Sequence, residues 1–199
     1  MKIIVVAPVA GFLLGFLDFV WIKFLPYPLA DLGNSMAVWA AAAFLLTYLT
    51  RWRTAASLAG AVVMLIVAVP SYYLAAALIQ GDDLSNMYAA YALLWMAAGV
   101  LAGVVFGAAG VVARAPSRWQ ALALSLPGAV MVAEGLLQAQ RIGDPSYDTA
   151  GTDAAVRLAL AVLLPLLIAR TWRTRALALL WSVPIGLLGY LAFTVTGFR

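Results

Sequence analysis

Seven apolar runs, separated by short polar connections, occupy nearly the whole chain: 3–25, 34–50, 54–80, 87–113, 118–140, 152–169 and 174–196. About 20 apolar residues match the roughly 30 Å of hydrocarbon in a bilayer. Within lipid such a run has to be helical, because every backbone N–H and C=O must find its partner inside the segment. With 66% hydrophobic and only 10% charged residues among 199, the chain carries too much apolar side chain for a wettable globule. The reading is an all-α, polytopic integral membrane protein: a single bundle of seven transmembrane helices, one domain over residues 1–199. The run 34–50 is short enough to be tilted little or partly interfacial. The first run continues through Asp18 with no small-residue cleavage site, so it is expected to remain as a membrane helix.

Loop charges set the expected orientation. Lys2, Arg51, Arg53, Arg114, Arg118, Arg170, Arg173 and Arg175 fall at one end of the bundle with no acid among them. The opposite end carries Lys23, Arg141, Arg157 and Arg199 together with Asp31, Asp82, Asp83, Asp144, Asp148 and Asp153. Basic loops stay cytoplasmic, which gives an N-in, C-out, multi-pass protein. Arg outnumbers Lys and Ala is abundant, as in high-GC bacteria, so the expected location is a bacterial cytoplasmic (inner) membrane. The net charge of +4 is distributed as topology signals are, which argues against a nucleic-acid partner. The sequence has no Cys and no His. Disulfides, thiolate catalysis and Cys-ligated metals are excluded, together with Ser-His-Asp and Cys-His mechanisms and most zinc sites.

Gly11 and Gly15, and Gly99, Gly103 and Gly107, repeat at four-residue spacing and predict close helix packing. Pro70, Pro127, Pro165 and Pro184 lie inside predicted helices, where each removes a backbone bond and favours a kink.

The functional signal is a pair of acids inside apolar runs. Ionisable groups within a membrane are costly, so Asp18 and Glu134 are candidate catalytic residues. Asp18 lies seven residues before the end of the first run and Glu134 seven before Arg141. At 1.5 Å per residue both sit roughly 10 Å below the same boundary. Trp21, Trp39, Tyr72, Tyr73, Tyr88, Tyr91, Trp95 and Tyr190 occur at similar height. Helical spacing puts Trp21 beside Asp18, Gln138 beside Glu134, and Tyr88, Tyr91 and Trp95 on one face. Interfacial belts also collect Trp and Tyr, as Tyr48, Trp52, Trp119 and Trp172 do at the other end. Tyr72, Tyr73 and Trp95 are set deeper than a belt requires.

A proton donor in an apolar pocket walled by aromatic faces suits carbocation chemistry, in which the acid protonates an alkene and π faces stabilise the cation. The DxDD signature of soluble class II terpene cyclases and the DDxxD metal motif are both absent, and neither metal nor cofactor is expected. Asp82, Asp83 and Asn86 read as a hydrated, helix-capping loop, and Asp144 to Asp148 as a polar turn.

Gly11 and Gly15 followed by Asp18, the Pro26-Tyr27-Pro28 loop, Tyr72-Tyr73 and Glu134-Gly135-Leu136 give the chain a resemblance to small actinobacterial seven-helix transmembrane terpene cyclases of drimentine-type indole sesquiterpene alkaloid pathways. These are similar in plan to the fungal meroterpenoid membrane cyclases. The resemblance implies metal-free class II cyclisation of a farnesyl group on an indole or diketopiperazine scaffold, with Asp18 and Glu134 as the acid pair and a lipophilic prenylated substrate reached through membrane lipid. The alternatives are a small proton-coupled transporter using the same acids, or a structural membrane protein.

Overall fold

The computed structural model describes residues 3–196, with side chains through Val195. Lys2 and Arg199, which contribute to the charge asymmetry, lie outside the described residues. Each apolar run becomes an α-helix: α1 Ile3–Phe24, α2 Met36–Thr50, α3 Thr54–Gln80, α4 Ala90–Ala113, α5 Gln120–Ala139, α6 Ala150–Ile168 and α7 Trp172–Thr196. Two 3₁₀ segments, Leu29–Asn34 and Leu84–Tyr88, precede α2 and α4, and no strand occurs among the described residues.

Six helices, all but α2, are long and apolar enough to cross a membrane. The 15 residues of α2 reach only about 22 Å. This short helix is central, packing against α3, α4 and α5 and burying Ala37, Ala40, Ala41, Phe44 and Thr47. α1 lies along α3, and α6 and α7 lie along α5, so α2 joins two groups of helices. Its N-terminus is capped by Ser35, whose Oγ accepts from the Val38 N–H at 3.2 Å. At its other end Arg114 donates from Nε to the Thr47 carbonyl at 2.8 Å and from Nη1 to that of Trp52 at 2.7 Å. A guanidinium there satisfies carbonyls that the last turn of a helix leaves open.

The glycine spacing has a direct cause. A Cβ at Gly15 would overlap the Ala68 carbonyl oxygen, and one at Gly11 that of Met64, so α1 and α3 touch backbone to backbone.

Helix starts differ from the sequence reading by two or three residues where a turn intervenes. Tyr88 belongs to the 3₁₀ segment, and Ala89 is extended at ψ 157°. Tyr88 therefore does not share a helical face with Tyr91 and Trp95, and its ring is exposed. Asp83 accepts from the Ser85 N–H at 2.8 Å and Asp144 from the Ser146 N–H at 2.9 Å, each closing its own turn.

Candidate functional site

The 3₁₀ segment before α2 builds the site. After α1 ends, the chain turns back at Pro26-Tyr27-Pro28 and lies against the helix it has just left. Trp21 Nε1 donates to the Leu29 carbonyl at 2.7 Å. A Cβ at Gly33 would fall 2.9 Å from the Asp18 carbonyl oxygen, so this segment touches the α1 backbone at the level of the acid. Gly33, Asn34 and Ser35 then form one wall of a cavity of about 350 Å³, within the size range of small-molecule sites.

Asp18 faces this cavity, with Trp39, Tyr72, Tyr73, Trp95 and Phe106 among the residues around it. Trp39 Nε1 donates to Asp18 Oδ2 at 2.8 Å, fixing the carboxyl group from the first turn of α2. No cation stands within ion-pair distance of Asp18 among the described residues. Of the rings that line the cavity, Tyr72 and Tyr73 pack on each other and on rings behind them. Phe19 meets Tyr72 edge-on at 5.3 Å between centroids, Tyr72 meets Tyr73 at 5.4 Å, and Tyr73 meets Tyr91 at 5.5 Å. These T-shaped contacts lock ring orientations. Trp95 lines the cavity yet is 37% exposed, so it stands where the cavity reaches the surface of the bundle, with Phe193 of α7 also in the lining.

Glu134 lies elsewhere. It is buried between α5, α6 and the start of α2, and it does not line the cavity. Arg157 of α6, 1% exposed, donates from Nε to Glu134 Oε2 at 3.0 Å and from Nη2 to Asp31 Oδ2 at 2.7 Å. Ser35 Oγ donates to the same Glu134 oxygen, and the Ala37 N–H approaches Oε1 at 3.5 Å. Gln138 Nε2 extends the network to Asp31 Oδ2 at 3.0 Å. A buried charge is tolerated when it is paired and hydrogen-bonded in this way. Ser35 connects the two regions, since it both lines the Asp18 cavity and binds Glu134.

The chain belongs to the family of unknown function DUF6518, whose profile matches residues 1–197. No curated protein and no solved structure matches it significantly.

Of the residues singled out in this DUF6518 member, the cavity brings together Asp18, Trp39, Tyr72, Tyr73 and Trp95. It leaves out Glu134, Trp21, Tyr88, Tyr91, Gln138 and Tyr190. Each of these has another place. Trp21 ties down the 3₁₀ segment, Tyr91 backs Tyr73, Gln138 serves Asp31, and Tyr190 bonds Gln140. Sequence reasoning missed two groups. Arg157 reads with the charges of the acidic end, although it falls inside the predicted run 152–169, where the rule that singles out Glu134 applies equally. Asn34 and Ser35 carried no signal, because their role depends on a turn that folds back onto α1.

Proposed function

We propose that this protein is a seven-pass, N-in, C-out enzyme of a bacterial cytoplasmic membrane that cyclises a prenyl chain by acid initiation, with Asp18 as the proton donor. The observation that carries the reading is a single carboxyl group, held by Trp39 and facing an aromatic cavity within apolar helices. The substrate class is a farnesylated lipophile of indole or diketopiperazine type, lying with its terminal alkene at Asp18 and its chain along Tyr72, Tyr73 and Trp95.

The acid delivers its proton to the terminal alkene carbon. Alkene π electrons then form the ring carbon–carbon bonds in sequence, and the final cation returns a proton to the Asp18 carboxylate, directly or through water, which restores the acid and makes the product an isomer of the substrate. Aromatic faces stabilise each cation and the apolar lining keeps water away from it. Along α2 from the cavity, Phe44 and Thr47 are fully buried, which fits a pocket blocked toward the opposite end of the bundle better than a transport path. Glu134 has no chemical role in this reading: with Arg157 it fixes Ser35 and the adjoining cavity wall.

The test is mass-spectrometric detection of cyclised product when membranes bearing the wild type or Asp18→Asn receive farnesylated indole diketopiperazines. Conversion by the wild type and its loss in folded Asp18→Asn supports the reading. Absence of product from the wild type across prenylated acceptors overturns it.

A further inference from the structure

At the opposite end of the bundle from Asp18, a second cavity of about 290 Å³ lies between the α4–α5 connection and the start of α7. Ser117, Arg118, Gln120, Arg173, Thr174 and Leu177 line it, and it contains no acidic residue. We propose that this groove binds the phosphate headgroup of an anionic phospholipid.

The arginines of this end divide into two kinds. Arg114 is used on the carbonyls of Thr47 and Trp52 and on Ser57 Oγ, and Arg175 donates from Nε to the Ala169 carbonyl at 2.9 Å. These two close helix ends. Arg118 and Arg173 make no hydrogen bond or ion pair among the described residues, yet Arg118 from the α4–α5 connection and Arg173 from the first turn of α7 line one groove. Arg118 does stack on Trp119, 5.0 Å from the ring centroid, but stacking occupies the guanidinium face and leaves its N–H edge available. Two like charges lining a small groove repel each other until an anion lies between them. Guanidinium forks flanked by hydroxyl and amide side chains match phosphate oxygens.

The groove's surroundings select a lipid. Trp119 and Trp172, each next in sequence to a groove arginine, are 53% and 77% exposed. Exposed Trp at the ends of apolar helices marks headgroup depth. Leu177, one turn along α7 from Arg173, carries the groove onto apolar surface where acyl chains lie. Basic pockets between membrane helices recognise anionic headgroups in this way.

Native mass spectrometry of the detergent-purified full chain, titrated with phosphatidylglycerol or phosphatidylcholine, tests the inference. The wild type should favour phosphatidylglycerol on the order of 30-fold, from two arginine contacts. Arg118→Gln/Arg173→Gln should bring the ratio close to one, and either single substitution should lower it partly. Arg51→Gln/Arg53→Gln removes the same charge from the same end outside the groove, and should leave the ratio unchanged. Equal loss in both double variants, or no preference in the wild type, would overturn the inference in favour of general surface charge or no site. Displacement of phosphatidylglycerol by millimolar inorganic phosphate would overturn it in favour of a site for soluble phosphate.

Discussion

Asp18 and Glu134 are matched in sequence and opposite in circumstance. Both are buried carboxylates on long apolar helices, each within a helix turn or two of the same end, and both are bound by residues at the start of α2. Glu134 receives a guanidinium and a hydroxyl, and its oxygens face protein. Asp18 receives one indole N–H and faces an aromatic cavity. A membrane acid is therefore a functional candidate only until its partners are known: a paired acid holds the fold, and one left facing a cavity is placed to act on what enters.

The contrast can be broken in four ways. The largest effect is expected from Asp18→Asn, which keeps the shape and removes the proton: cyclisation should fall about 10²–10⁴-fold while the thermal midpoint stays near wild type. Arg157→Met should do the reverse. It strands the Glu134 charge in the interior and costs about 3–5 kcal/mol of stability, measured as a lower unfolding midpoint in detergent. Adding Glu134→Gln should recover most of that loss, because the uncompensated charge is gone. Gly15→Val forces a side chain into the Ala68 carbonyl and should cost about 1–3 kcal/mol, readable in the same melt. The smallest change is Trp39→Phe, which keeps the aromatic wall and removes the donor to Asp18. Activity should fall about tenfold, in line with one hydrogen bond to a carboxylate, with little change in melting. A Trp39→Phe variant that melts early but turns over normally would reassign Trp39 to the structural side of the comparison.

Much of the fold was legible because hydrocarbon thickness and backbone pairing leave few options: the apolar runs give the helices to within two or three residues. Gly11 and Gly15 indicated close packing, since only small side chains allow helix backbones to touch, and α3 is the partner they meet. The shared height of Asp18 and Glu134 could also be read, because rise per residue is fixed. Rotation about each helix axis could not. Whether Glu134 meets Asp18 or Arg157 depends on how α5 turns against α6, and nothing local to residues 120–139 encodes that. The link between Ser35 and Glu134 spans 99 positions and exists only because the 3₁₀ segment folds back against α1. Arg157 was visible in principle. Counting it with the loop charges concealed that an arginine buried within α6 needs an anion from a neighbouring element, and that Glu134 of α5 was available for the purpose.

The central claim is that Asp18 is the working acid and Glu134 a structural one. The most direct measurement compares product formation by Asp18→Asn with that by Glu134→Gln/Arg157→Met, in proteoliposomes matched for folded protein and supplied with a farnesylated indole diketopiperazine. The account predicts that the double variant still converts substrate, slowed only as far as the Ser35 wall is loosened, and that Asp18→Asn gives none above background. Conversion retained by Asp18→Asn and lost in a well-folded Glu134→Gln/Arg157→Met would contradict it, and would return the proton to Glu134.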